Sequence, residues 1–325
     1  MKLPRRTFLH LAAGAAALPV VSRIAWSQTY PARPVRIIVA TAAGGTTDIT
    51  ARVIARWLSE RFGQQFFVEN RPGGGNNIGT EAVVRAPADG YTLLLVNSVN
   101  AINATLFEKL SYNFVNDIAP VAGFLRVPMV LEVNPSVPAG TAAEFIAYAK
   151  ANPGKINMAS AGIGSTPHVA GELFKMMAGL NMLHVPYRGG AAAITDLIGG
   201  QVQVMIEPIT GPLEHIRAGK LRGLAVTTTT RSQALPDLPT LDTVVPGYEA
   251  SPWYGLGAPK NTPPEIIERL NREINAALAD PKMAHQLDEL GGTPLAGSPA
   301  DFTNLIAEET AKWGKVVKFS GAKPD

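Results

Sequence analysis

Val35-Arg36-Ile37-Ile38-Val39, then Ala40-Thr41-Ala42-Ala43-Gly44-Gly45-Thr46-Thr47-Asp48, then an amphipathic run to Phe62, is the stretch whose reading decides the fold. A short apolar strand enters a turn of two adjacent glycines, where nothing projects over the backbone and several N–H groups can converge on a ligand. Thr46 or Thr47 is placed to cap the helix that follows. Ile49, Val53, Ile54, Trp57, Leu58 and Phe62 recur there at helical spacing, with Arg52, Arg56 and Glu60 opposite and Gly63 as the stop. The free amides of a first helical turn, with roughly half a positive charge from the aligned peptides, favour a carboxylate or phosphate. The same unit also serves wherever an α/β sheet needs a tight connection, so it argues for α/β before it argues for anion binding.

Outward from this unit, strands and helical patterns alternate. Phe66 to Glu69, the loop Asn70-Arg71-Pro72-Gly73-Gly74-Gly75-Asn76-Asn77, a helix to about Arg85 and the strand Tyr91 to Val96 come first. The pattern then restarts with Met129 to Val133, a helix from the Thr141-Ala142-Ala143-Glu144 capping box through Lys150, and strands near Ile156 to Ser160, Leu183 to Val185 and Val202 to Ile206. Helices from about Pro167 and Ala191 separate those strands. After Trp253-Tyr254-Gly255-Leu256 come three helices, opened by Pro264, Pro281 and Pro299 with Thr262, Asp280 and Ser298 as caps. These are expected to return to the first half. The reading is an α/β chain of two domains, 28–127 plus 253–325 and 128–252, crossed twice at a hinge.

Residues 1–27 read as a signal peptide. Lys2, Arg5 and Arg6 precede an apolar run from Phe8 to Val21, too short to span a bilayer, and Ala25-Trp26-Ser27 offers small residues for cleavage. Export by the general or the twin-arginine route fits Arg5-Arg6-Thr7-Phe8-Leu9 equally. Without cysteine there is neither a disulfide framework nor a lipid-anchored N-terminus, so an exported protein free in its compartment is expected. The chain holds 29 Lys and Arg against 26 Asp and Glu. Lys2, Arg5, Arg6 and Arg23 leave with the leader, so 25 basic residues remain and the formal charge becomes −1. A nucleic-acid partner is therefore not expected.

Ligands in open α/β sheets sit beyond the carboxyl ends of strands, and four turns there carry small polar residues. They are Gly44-Gly45-Thr46-Thr47, Pro72 to Asn77, Ser160-Ala161-Gly162-Ile163-Gly164-Ser165-Thr166-Pro167-His168, and Tyr187-Arg188-Gly189-Gly190. Two come from each half. A cleft so lined suits a small anion enclosed by a hinge.

From Tyr30 onward the chain resembles the Bug family, extracytoplasmic solute receptors of tripartite tricarboxylate transporters. The matching stretches include Tyr30-Pro31-Ala32-Arg33-Pro34-Val35-Arg36, Gly44 to Asp48, Val68-Glu69-Asn70-Arg71-Pro72-Gly73, Pro87-Ala88-Asp89-Gly90-Tyr91-Thr92-Leu93, His184-Val185-Pro186-Tyr187 and Leu235-Pro236-Asp237-Leu238-Pro239-Thr240. The resemblance implies a periplasmic-binding-protein type II-like fold holding a carboxylated metabolite between its domains, partly through backbone amides, and membrane subunits of such a transporter as partners. Two departures bear on the ligand. Ala40-Thr41-Ala42-Ala43 stands where relatives carry an aromatic residue and prolines, and Glu207 stands where many carry aspartate.

The candidate ligand-binding set is Thr41, Gly44, Gly45, Thr46, Asp48, Gly74, Ser98, Ser160, Gly164, Ser165, Thr166, His168, Tyr187 and Glu207. Each has a plainer reading. Asp48 is favourable in a first helical turn through the dipole alone. Ser165 and His168 read as a helix cap and a first-turn residue as well as a nucleophile and its base. Glu207 either excludes a second ligand carboxylate or holds a ligand amine. No second histidine lies at ligand spacing, so neither a metal nor a cofactor is expected, and a monomer is. Dinucleotide, phosphate-loop, hydrolase-elbow and zinc-protease motifs are absent. A non-enzymatic carboxylate receptor is the leading reading. The alternatives are an exported α/β hydrolase using Ser165 and His168, or a receptor feeding a sensor kinase.

Overall fold

A computed structural model of the chain describes residues 30–324; the signal peptide read at 1–27 lies outside the described residues. β1 (Val35–Val39) leads through the double glycine into α1 (Thr46–Phe62) and β2 (Phe66–Asn70). α2 (Asn77–Val84), β3 (Thr92–Asn97), α3 (Ser98–Leu106), the short α4 (Phe114–Asp117) and β4 (Ile118–Arg126) follow. The next run holds β5 (Met129–Val133), α5 (Ala142–Ala151), β6 (Asn157–Ser160), α6 (Thr166–Ala178), β7 (Leu183–Pro186), α7 (Gly190–Ile198), β8 (Val204–Pro208), α8 (Leu213–Arg217) and β9 (Arg222–Val226). β10 (Trp253–Pro259), α9 (Pro264–Leu278), α10 (Pro281–Glu289), β11 (Thr293–Pro294) and α11 (Pro299–Ser320) close the chain.

The strands form two sheets, ordered β11-β4-β10-β3-β1-β2 and β7-β6-β8-β5-β9. In the first, β1 runs parallel to β2 and β3, and β10 inserts antiparallel between β3 and β4. In the second, β6 runs parallel to β7 and β8, and β5 antiparallel to β8 and β9. The near-continuous apolar strands follow from burial on both faces. Val35, Ile37, Val39, Leu93 and Leu95 pack in one cluster with Ile54 and Leu58 of α1 and Leu270 and Ile274 of α9, whereas Ile38, Leu94 and Val96 turn to the other side.

The chain passes between the sheets at 127–128 and returns at 227–252. The two crossings are joined where the Val127 amide donates to the Pro252 carbonyl at 2.8 Å. α11 lies against α3, which follows a strand of the first sheet, and against α6, which follows a strand of the second. It therefore spans both halves.

Three caps differ from the sequence reading. Of the box at Thr141 and Glu144 only the Thr141 half forms, since Glu144 Oε2 accepts from the Gly140 amide at 2.7 Å. α1 is capped by Gly45, without a side-chain bond, because the helix already begins at Thr46. α9 is preceded by Pro263, and Thr262 instead donates its hydroxyl to the Pro259 carbonyl at 2.7 Å. Asp280 and Ser298 do cap α10 and α11.

Candidate functional site

Three helices begin at one place. First-turn residues of α1 (Thr47), α3 (Ser98, Val99) and α6 (Thr166, Pro167) line a cleft of about 240 Å³. The first half adds Thr41, Asn76, Asn97 and Tyr254, the second Ala161, Ser165, Glu207 and Pro208, and Pro252 belongs to the returning crossing. Among the described residues no lysine, arginine or histidine lines it. An anion here would be met by N–H and O–H dipoles and by the positive ends of three helices, with no cationic side chain in contact. An adjoining compartment of about 450 Å³ shares Asn76, Val99 and Ser165 and extends to Gly74, Leu106, Phe107 and Gly164.

Local chemistry fixes each wall. Asn97 ends β3 and caps α3, its side chain accepting from the Val99 amide at 3.0 Å while Asn100 Oδ1 accepts from the Asn97 amide at 2.9 Å. The glycine loop before α2 runs with positive φ from Gly73 through Asn76, whose φ is 78°. Asn103 Nδ2 donates to the Gly75 carbonyl and to Asn77 Oδ1, and Asn76 donates to Asn97 at 3.4 Å, so the loop is tied to α3. Ser165 caps α6, accepting from the His168 amide at 3.3 Å and donating to the Gly162 carbonyl at 2.6 Å.

Two polar atoms in this lining are buried without a hydrogen-bond partner, Thr41 Oγ1 from the first half and Glu207 Oε2 from the second. An unmade bond of this kind costs about 1–3 kcal/mol, which a ligand atom in the cleft would recover. Burial pushes Glu207 up to about 8. It also pushes the Tyr254 phenol up to about 12, which keeps that hydroxyl a donor at neutral pH.

The fourteen residues singled out from the sequence separate into groups. Thr41, Ser98, Ser165, Thr166 and Glu207 line the inner cleft; Gly74 and Gly164 line the adjoining compartment. Gly44, Gly45 and Thr46 lie beside this lining, and Thr47 is the residue of that turn which enters it. Asp48 is spent internally, accepting from the Gly44 amide at 2.9 Å, Asn70 at 3.0 Å and Arg52 at 3.0 Å, and those bonds outweigh burial to hold its carboxyl below the usual range. Ser160 is fully buried, with its hydroxyl 2.7 Å from His184 Nε2 and accepting from the Gly162 amide. Tyr187 donates to Asp196 at 2.8 Å.

His168 is buried behind the cleft wall. Its Nδ1 accepts from the Gly164 amide at 3.1 Å and its ring stacks on His184 at 4.0 Å. Ser165 gives its proton to Gly162, so the two side chains are not disposed as nucleophile and base. The fold does bring His184 beside His168 and Glu172, with ligand atoms within 4.8 Å of one another, a grouping that spacing in the sequence hides. Imidazoles bind metals in the ring plane, and these rings lie face to face at 20° with Glu172 held by Lys175 at 2.8 Å. Burial lowers His168 to about 3 and His184 to about 4, so both are neutral.

Sequence reasoning missed Tyr254 and Pro252 as cleft residues, since they come from the returning segment; Asn76 belongs to the glycine-rich turn it did single out.

The chain matches the family model described as "Tripartite tricarboxylate transporter family receptor" over residues 50–321. It is similar to protein BugT of Bordetella pertussis, 41% identical over 300 residues, covering 91% of this chain and 92% of that one. Among solved structures it resembles R. palustris Rpa4515 with adipate, at TM-score 0.79 and 38% identity, covering 91% of this chain and 100% of that one. It also resembles MatC from Rhodopseudomonas palustris with bound malate, at TM-score 0.75 and 30% identity, covering 89% and 100%.

Proposed function

The chain belongs to the tripartite tricarboxylate transporter receptor family, whose solute-binding members share a two-domain type II-like fold, and from that premise we propose that it captures a small carboxylate in the cleft between 28–127 plus 253–325 and 128–252. The convergence of three helix starts on one cleft without a cationic side chain carries this reading. A carboxylate fits because two oxygens can each accept from amides and hydroxyls on opposite walls. The relatives with adipate and malate support the ligand class. Thr41, Thr47, Ser98, Thr166 and Tyr254 are the side chains assigned to contact it, with first-turn amides of α1 and the Thr166 amide of α6.

The leader at 1–27 exports the chain to the periplasm, where it works as a monomer and hands its ligand to the membrane subunits of a tripartite tricarboxylate-type transporter. Among the described residues no helix is long and apolar enough to cross a membrane. The ligand is bound and released without chemistry, because the Ser165 hydroxyl is committed to Gly162 and the His168 ring to Gly164.

Thermal unfolding of the mature chain with a panel of mono-, di- and tricarboxylates tests this. One class should stabilise it, by about 2.7 kcal/mol at 100-fold excess over Kd. Absence of stabilisation by any carboxylate, or hydrolysis of acyl esters lost in Ser165→Ala, would overturn the reading.

A further inference from the structure

Among the lining residues of the cleft Glu207 is the one acid, and its buried Oε2 has neither a basic side chain nor a hydrogen-bond donor to compensate a charge. Val130 on β5 stands opposite Glu207 on β8, and Glu132 opposite Met205. Opposed residues of antiparallel strands share a face, and every second residue stays on it, so Glu132 and Glu207 are diagonal neighbours, about 7–8 Å apart. Both oxygens of Glu132 and Oε2 of Glu207 are buried without a partner. Among the described residues no basic side chain pairs with either. Tyr254 faces Glu207 from β10 across the cleft as a neutral phenol, and His215 on α8 shares with it an outer groove of about 500 Å³ that lysine and arginine do not line. From α7 the neighbour is Gly190, where a Cβ would stand 2.4 Å from Glu207 Oε1, so the helix start leaves room for the carboxyl group and nothing else.

We propose that Glu207 is the specificity-determining residue of the cleft: it presents a protonated carboxylic acid that donates a hydrogen bond to the second carboxylate of a dicarboxylate whose first carboxylate rests at the helix starts. This rests on the carboxylate-receptor reading above. With no cation in the lining, a second carboxylate would be repelled by an ionised Glu207. The neutral acid gives it an O–H to O⁻ bond, about twice as strong as a neutral pair. Burial supports the protonated form of Glu207, and burial together with the charge of Glu207 raises Glu132 beside it, since ionising either opposes ionising the other. The outer groove gives the proton a route to solvent.

Isothermal titration of the mature chain with succinate, glutarate and adipate, each against the monoacid of the same chain length, at several pH values from 6 to about 9.5, decides it. The preferred dicarboxylate should bind more tightly than its monoacid and lose about tenfold in affinity for each pH unit above the Glu207 pKa, because only the protonated fraction is competent. Glu207→Gln keeps an N–H donor at that place, so its affinity should fall only a few-fold and lose its pH dependence. Glu207→Ala should erase the preference for the diacid. Gly190→Ala should push the carboxyl group aside and weaken the diacid by about tenfold, a readout that does not depend on Glu207→Gln folding. A flat pH profile, equal binding of diacid and monoacid, or binding of an amino acid that Glu207→Gln abolishes would overturn the proposal while leaving the carboxylate-receptor reading intact. No binding of any carboxylate would overturn both.

Discussion

Thr41 and Glu132 are where single atoms can be interrogated. Thr41→Val removes a buried hydroxyl that has no partner, so the unliganded chain should gain about 1 kcal/mol in urea unfolding while ligand affinity falls. A hydroxyl serving only the fold would lower stability instead. For Glu132 the sign is fixed by linkage. Above pH 4.5, where an unfolded glutamate titrates, the folded chain keeps a proton that the unfolded chain releases, so this residue makes stability fall as pH rises. Glu132→Gln removes that slope, and the variant should gain on the parent by about 1.4 kcal/mol per pH unit from pH 5 toward neutrality. A constant difference across that range would contradict the burial of Glu132 as a neutral acid. Gly164, at φ 77° with Leu106 Cδ2 2.4 Å from where a Cβ would sit, should lose about 1 kcal/mol on mutation to alanine. At this scale the sequence revealed the small polar residues of the turns, because Gly-Gly-Thr-Thr and Gly-Ser-Thr announce their local chemistry. It hid Tyr254, and it hid the stacking of His168 on His184, since neither partner lies near the other along the chain.

Among the elements, α6 and α5 offer a matched pair of caps. Ser165→Ala and Thr141→Ala each remove a side-chain acceptor from an N3 amide and should each cost about 1 kcal/mol in thermal unfolding. Only the first should weaken ligand binding, because Thr141 lies outside the cleft lining. Helices opened by a cap and a proline were legible for this reason. α3 was not, because β3 passes directly into it and Asn97 ends the strand and caps the helix at once. β4 and β9 were hidden by Pro120, Gly123 and Gly223, residues that ordinarily argue against a strand interior. Register shifts in β10 beside β4, and in β5 beside β9, absorb the irregularity.

Across the whole molecule, α11 ties the crossings to the cleft. Glu249, within the returning crossing, pairs with Arg126 at 2.6 Å and with Lys312 of α11 at 2.9 Å. Glu309 accepts from the indoles of Trp253 at 3.1 Å and Trp313 at 2.8 Å, and the Trp253 amide donates to Ser98 Oγ in the cleft at 2.9 Å. Burial raises Glu249, yet Lys312 and Arg126 outweigh it and hold the carboxyl low, so its contribution is present above pH 4.5 and lost as pH falls through the lower folded value. Glu249→Gln should cost about 2 kcal/mol and speed amide exchange around residues 249–253, which mass spectrometry would register. The restart of the strand pattern at Met129 made two halves legible from sequence. That α11 would touch both was not, since helical spacing shows that a face is buried but not against what. The most direct measurement is a crystal structure of the mature chain with the carboxylate that stabilises it most. The ligand should lie in the 240 Å³ cleft, in contact with Thr41 or Thr47 on one side and Ser165 or Thr166 on the other. A carboxylate held by one half alone, or outside this cleft, would contradict it.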